Sequence, residues 1–283
     1  MTDAREILPV SVCIPVRNEE ANLPDCLAAL TDFDEIVVVD SGSTDRTLEI
    51  AKTAGASIVQ FQWNGMFPKK RNWALANYRF RHPWILFLDA DERMTPEFVA
   101  ELRSILKNTS HSGFWISYTN WFMGKPLHHG DVFRKLALFQ IGKGEYERIP
   151  ENSWSALDME VHEHPVIDGS IGILHSRLEH QDYRGLKNYL QRHNEYSSWE
   201  ANRFLWFESA SQKDWEPLTD RQRFKYRFLD RPWFAWFYWF VSVILKRGFC
   251  DGLSGLTLGK MKRHYFEEVR LKILESRRTR LRA

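Results

Sequence analysis

Between residues 10 and 110, short apolar runs alternate with segments whose apolar positions recur at helical spacing. Val10–Val16 reads as a strand and Glu19–Leu30 carries helix signals. Glu35–Asp40, EIVVVD, is a near-continuous β-branched run. Ser43 and Thr44 are expected to open a helix reaching Ala54, and Ser57–Phe61 to form a short strand. Pro68–Tyr78 reads as helix and Trp84–Leu88 as strand. Thr95–Leu106 reads as helix, with Thr95-Pro96-Glu97 at its start. Strands that are apolar at every position, separated by helices, predict an α/β fold with a mostly parallel sheet covered on both faces.

After residue 110 the pattern changes. Phe114–Phe122 and Val132–Phe139 read as strands around a Gly/Pro/His turn, and residues 140–158 look loop-like. Val161–Val166 and Ile171–Leu178 add short strands. From Tyr183 the chain turns helical and aromatic: six of its twelve Trp fall between 199 and 239. The run Trp233–Leu245 has one polar residue, Ser242, among thirteen. It is shorter than the roughly 20 residues that span a bilayer, but its Trp and Tyr suit a membrane interface. A buried helix, a dimer surface or an acceptor groove are the competing uses. The expected division is 1–182 and 183–283.

Composition narrows the class. Apolar residues at 43% and charged residues at 27% fit a folded core. The net charge of +2 hides a basic tail: residues 260–283 hold nine Lys or Arg against three Glu. Local charge of this kind argues against a nucleic-acid surface and suits anionic headgroups or a solvated helix end. Three cysteines without a CxxC pair disfavour a disulfide framework or structural zinc. No signal peptide is visible. The expected location is cytoplasmic, peripheral at the inner face of the cell membrane.

The candidate chemistry sits at three strand ends. The first strand runs into CIPVRNEE (Cys13–Glu20), where Pro15 lacks a donor for the ladder and Asn18 and Glu19 are expected to begin a helix. The second runs into VVDSGSTD (Val38–Asp45), with Asp40 at its carboxyl end and Gly42 allowing a sharp turn. The fourth ends in ILFLDADER (Ile85–Arg93), delivering Asp89 and Asp91 to the sheet edge where open α/β folds bind ligands. Two carboxylates joined by substrate phosphate oxygens can hold Mg²⁺ or Mn²⁺. Asp-x-Asp alone is a common loop triplet; its weight comes from the two segments before it.

Taken in order and spacing, these segments resemble the family 2 glycosyltransferases, which have the GT-A fold and use nucleotide-sugar donors. The likeness is close over about residues 10–110. It continues more loosely through Val161-His162-Glu163, Leu178-Glu179-His180 and Gly248-Phe249-Cys250-Asp251-Gly252. The chain as a whole is similar to the lipopolysaccharide-core β-glucosyltransferase branch, with Arg17 standing where many members carry Tyr. The resemblance implies that residues 1–182 form a GT-A domain. It implies that Pro15, Arg17 and Glu19 line a nucleoside slot and that Asp40 accepts the uracil N3–H of a UDP-sugar. Lys70 and Arg71 would lie near base or diphosphate. Asp89 would contact ribose or the metal, Asp91 would be the main metal ligand, and His180 would approach metal or diphosphate. Arg134 and Lys135 are further diphosphate candidates.

An inverting transfer also needs a base for the acceptor hydroxyl. Glu163 is the candidate, with Glu160, Asp158 and Glu179 as rivals. On an extended segment His162 and His164 point away from it, so the spacing is not that of a helical zinc motif. The expected acceptor is a hydroxyl of a lipopolysaccharide, exopolysaccharide or lipid-linked saccharide. A polyprenyl-phosphate transferase of the same fold would differ only in acceptor. A sugar nucleotidyltransferase would open with a glycine-rich loop, which PVRNEE lacks, and a non-catalytic membrane-docking scaffold would not bind UDP through a metal.

Overall fold

A computed structural model of the chain describes residues 7–149, 154, 157–160, 163–216 and 218–280. They divide into two compact units, the first of residues 7–121, 132–149, 157–160 and 163–184, the second of 122–131, 154, 185–216 and 218–280. Val161 and His162, and so the start of the strand expected at Val161–Val166, lie outside the described residues.

The strands are β1 (Val10–Val16), β2 (Ile36–Asp40), β3 (Ser57–Gln60), β4 (Trp84–Phe87), β5 (Glu92–Arg93), β6 (Gly113–Phe122), β7 (Lys125–Pro126), β8 (Phe133–Gln140), β9 (Gly144–Tyr146), β10 (Pro165–Ile167) and β11 (Ile171–His180). In the first unit the main sheet runs β3-β2-β1-β4-β8-β6-β11-β5, and β9 and β10 form a separate pair. From β3 to β4 every neighbour is parallel. At β8 the direction reverses, and β11 returns parallel to β6.

The continuous apolar runs follow from burial on both faces. Val10, Val12, Ile14 and Leu86 pack on one side with Leu23, Leu27, Phe98 and Leu102, whereas Cys13, Val37, Val39, Ile85 and Phe87 pack on the other with Phe61 and Ala74. Neighbouring residues thus serve opposite cores, as the pleat requires. The covering helices are α1 (Leu23–Ala28), α2 (Thr47–Thr53), α3 (Lys70–Asn77) and α4 (Pro96–Leu106). As expected, Thr95 caps α4, accepting from the Phe98 N–H at 3.2 Å.

Two helix starts differ from the sequence reading. Helix α1 begins at Leu23, with Pro24 in its first turn, instead of at Asn18 or Glu19. Helix α2 begins at Thr47, and neither Ser43 nor Thr44 caps it. The polar side chains of both segments instead tie the two loops together. The Asn18 N–H donates to Ser43 Oγ at 2.9 Å, the Thr44 N–H to Asn18 Oδ1 at 2.8 Å, and the Glu19 N–H to Thr47 Oγ1 at 2.8 Å. Asn18 adopts φ 55° to do so, a left-handed conformation that Asn tolerates better than most residues. β9, inside the stretch expected to be loop, is three residues long and too short to show a period.

The second unit contains α5 (Gly185–Phe207), α6 (Gln212–Trp215), α7 (Asp220–Phe228), α8 (Phe234–Trp239), a π-helical stretch at Phe240–Leu245, a 3₁₀ turn at Gly248–Asp251 and α9 (Gly252–Arg280). Its core joins Phe204, Phe207, Tyr226, Phe234, Phe266 and Ile273. Gly259 of α9 lets Val243 approach; a Cβ there would lie 2.2 Å from Val243 Cγ2. No helix among the described residues is long and apolar enough to cross a membrane.

Candidate active site

The site lies in the first unit, at the carboxyl ends of β1, β2 and β4. The ladder from β1 to β4 stops at Cys13, while that to β2 continues to Val16. Pro15 therefore ends pairing on one side only, consistent with its missing N–H. Asp40, the last residue of β2, is fully buried. Its carboxylate accepts from the Gly42 N–H at 3.0 Å, the Ser43 N–H at 3.2 Å and the Ser43 hydroxyl. Gly42, at φ 81°, makes that turn. Arg17 lies exposed just beyond β1.

Helix α3 brings three consecutive buried cations to this rim, Lys69, Lys70 and Arg71. Cations at a helix N-terminus oppose its dipole, and buried charges need partners. Each has one. Lys69 Nζ lies 2.9 Å from Glu163 Oε1. Lys70 Nζ donates to the Val16 carbonyl at 3.0 Å and Ser41 Oγ at 2.8 Å, and lies 3.3 Å from Asp158 Oδ2. Burial depresses its pKa even so. Arg71 pairs with Asp89 Oδ1 at 2.5 Å. The negative charge that the helix end requires comes from Glu160, whose carboxylate accepts the Arg71 N–H at 2.8 Å and the Asn72 N–H at 3.0 Å. Glu160 is thus a helix cap supplied from a distant segment, a use that its position in the sequence does not announce.

The end of β4 carries three acids, not two. Asp89 is bracketed by Arg71 and by Lys135 Nζ. Burial works to raise its pKa, but Lys135 and Arg71 hold it down at about 2. Glu92, fully buried, also pairs with Lys135, and its Oε2 accepts the Asp89 N–H at 3.1 Å. Burial pushes Glu92 upward past the opposing effect of Lys135. Asp91 is buried and faces different neighbours: His180 Nε2 at 3.5 Å and an Arg184 guanidinium nitrogen at 3.7 Å.

His180 Nδ1 lies 2.9 Å from Asn120 Oδ1, which orients the ring, and the imidazole stacks on Phe133 with centroids 5.8 Å apart. Burial alone would lower the His180 pKa; Asp91 outweighs it and raises the pKa above its ordinary value. Arg184 also pairs with Glu19 at 2.5 Å and Asp182 at 2.9 Å. Burial lifts the Glu19 carboxyl to about 7 against the pull of Arg184.

Among the described residues, no group of three or more His, Cys, Asp or Glu side chains is set to hold a metal ion. Asp91 Oδ2 and His180 Nε2 offer two adjacent donors. That number fits Mg²⁺ or Mn²⁺, which takes its remaining oxygens from water and substrate phosphates. Asp89, held between Lys135 and Arg71, is already neutralised.

The fold therefore gathers Glu19, Asp91, His180 and Arg184 into one cluster, and Arg71, Asp89, Glu92 and Lys135 into another. Asp40 and Lys70 stand at the neighbouring strand ends. Arg134 is exposed, and strand alternation turns it to the face opposite Lys135. Glu163 is buried beside Lys69. Sequence reasoning missed Glu92 and Arg184. Glu92 directly follows the Asp-x-Asp triplet, and Arg184 closes the EHQDYR segment that contains His180, so proximity to named residues was the available signal.

A glycosyl transferase family 2 profile matches residues 11–154. The chain is 31% identical to the lipopolysaccharide core biosynthesis glycosyltransferase LpsC of Rhizobium meliloti, covering 69% of this chain and 71% of that protein. The chain belongs to glycosyl transferase family 2. It is also 44% identical to a TPR repeat-containing protein of Synechococcus elongatus, over 38% of this chain but only 26% of that longer protein. Staphylococcus aureus TarS 1-349, solved in complex with UDP-GlcNAc, aligns over 95% of this chain and 92% of its own at 16% identity and a TM-score of 0.48.

Proposed function

We propose that the protein is an inverting glycosyltransferase that moves a sugar from a UDP-sugar to a hydroxyl of a saccharide acceptor of the lipopolysaccharide, exopolysaccharide or lipid-linked kind. The observation that carries this reading is the charge arrangement at the end of β4. Asp91 and His180 form an adjacent donor pair beside Arg184, and Arg71 and Lys135 enclose the neighbouring Asp89, each cation held by a carboxylate. An incoming diphosphate can take over those cations without their crossing into bulk water. A divalent cation on Asp91 and His180 would supply Lewis-acid neutralisation of the departing diphosphate.

The chain's own residues divide the remaining work. Asp40 has bonds from Gly42 and Ser43, and a carboxylate offers about four acceptor positions; the one left over is our candidate for the uracil N3–H. Pro15, Arg17 and Glu19 would flank the nucleoside, and Lys70 would hold the β1 and β2 ends in register with it. Glu163 would take the acceptor proton as the hydroxyl attacks the anomeric carbon from the side opposite the diphosphate. Lys69 beside it orients the carboxylate. The resemblance to LpsC supports a lipopolysaccharide-type acceptor, and glucose is our first choice of sugar.

The test is a donor screen. UDP-, GDP- and TDP-sugars would be incubated with Mn²⁺ or Mg²⁺, and hydrolysis followed without acceptor. We expect turnover of UDP-sugars that disappears on chelation. Turnover restricted to a GDP-sugar would overturn the role given to Asp40. Transfer to a bare polyprenyl phosphate would move the acceptor assignment.

A further inference from the structure

We propose that the helical segment 233–245 of the second unit, with the turn that follows it, docks the protein onto an anionic lipid bilayer. The segment is apolar all round. A soluble helix of that kind is ordinarily buried all round. Here only one face is. Phe234 and Tyr238 pack on Phe266, with ring centroids 5.3 and 4.4 Å apart, and Val243 rests against Gly259. The other face carries Trp233, Trp236, Phe237, Phe240 and Ile244, between 40% and 57% exposed. Their spacing of three and four residues puts them in one stripe along the helix. The stripe continues into Leu245 at 64% and, past the turn, Leu253 at 74%. It is contiguous at its start, where Trp233 and Phe237 touch at 5.8 Å and Phe237 touches Phe224 at 5.7 Å.

Charge selects the occupant. Residues 231–266 contain six Lys or Arg and one acid, Asp251. That acid is taken up internally, accepting the His129 N–H at 2.9 Å and lying 2.9 Å from the His129 ring. Lys246 and Lys262 are tied to Asp131, but Arg247 and Lys260 are exposed, and the Arg263 guanidinium lies 4.1 Å from the centre of the Trp236 ring. An apolar stripe rich in Trp with a basic margin matches the boundary between acyl chains and anionic headgroups. A second copy would instead bring the same basic margin against itself. The segment is too short to span, so the surface would rest on the bilayer. The inference is independent of the sugar-transfer reading.

The test is co-sedimentation of the full chain with phosphatidylcholine vesicles, with and without phosphatidylglycerol, alongside sedimentation velocity without lipid. We expect binding to the phosphatidylglycerol vesicles, weakened by salt, and a monomer in solution. Trp236→Ser and Phe240→Ser should each lower partitioning about tenfold. Lys260→Glu with Arg263→Glu should abolish the preference for anionic vesicles without touching the core. Circular dichroism checks that each variant is folded, and UDP-sugar hydrolysis should be unchanged. Absence of binding, binding unaltered in the folded variants, or a dimer dissolved by Trp236→Ser would each overturn the proposal.

Discussion

The rim at the end of β4 and the helical stretch at 233–245 break the usual inside–outside pattern in opposite ways. The rim buries charge: Asp91, Glu92, Lys69, Lys70 and Arg71 are each less than a tenth exposed. The stretch exposes Trp236 and Phe240 by about half. Buried charge is tolerated only when every group has a partner, and the rim meets that condition within itself. Exposed aromatic surface has no such internal remedy and is relieved only by something outside the chain. The charges of the rim are paired and poised to exchange partners, whereas the stretch leaves apolar surface uncovered.

The largest effect is expected at Asp91. If the rim exchanges its internal partners for a cation and diphosphate, Asp91→Ala should cut metal-dependent UDP-sugar turnover by about 10³-fold. Titration calorimetry should show that Mn²⁺ no longer tightens UDP binding. Unchanged binding would make Asp91 a structural residue.

Next comes Glu163→Gln. As the base it should lower kcat by about 10²–10⁴-fold while leaving donor affinity intact. The change also removes the charge that faces the buried Lys69, so a stability loss of roughly 3 kcal/mol should accompany it. Lys69→Met added to Glu163→Gln should restore the melting temperature but not the rate. Recovery of both would remove Glu163 from the chemistry.

The second unit offers a buried charge of its own for contrast. Asp131 meets Lys246, Lys262 and the Tyr238 hydroxyl at 2.5 Å. Burial opposes its ionisation, yet Lys262, Lys246 and Tyr238 hold its carboxyl well below the ordinary 3.8. A carboxyl so depressed contributes stability that is present above its ordinary pKa and lost as pH falls through the folded value. Asp131→Asn should therefore cost on the order of 3 kcal/mol at neutral pH. In urea melts the difference from wild type should shrink below pH 4. A difference independent of pH would point to packing instead of charge.

The smallest effect is expected at Glu160. Glu160→Gln keeps one acceptor for the Arg71 and Asn72 N–H groups and should cost only about 1 kcal/mol, with UDP affinity weakened through movement of Arg71. A loss of rate matching that of Glu163→Gln would reopen Glu160 as the base.

Much of the fold was legible because parallel strands covered on both faces must be apolar at every position. Val10–Val16, Ile36–Asp40 and Trp84–Phe87 were visible for that reason, and their ends located the acids. Helix starts were less legible. Ser43, Thr44, Asn18 and Glu19 have the right chemistry to cap a helix, but the same hydroxyls and amides can bond across two loops that are distant in sequence, and here they do. That Lys135 and not Arg134 meets Asp89 follows from strand register, which a local pattern does not fix.

By itself the sequence determined the kind of sheet, the order of its strands' polar ends and the acid triplet, since each follows from burial and spacing within a few residues. Only the tertiary structure decided which charges meet: that Glu160 caps α3, that Lys135 and Arg71 enclose Asp89, that His180 and Arg184 reach Asp91, and that one face of 233–245 stays uncovered. Those outcomes depend on contacts between segments tens of residues apart, where the energy of a pair is set by distance and burial and not by the identity of either partner.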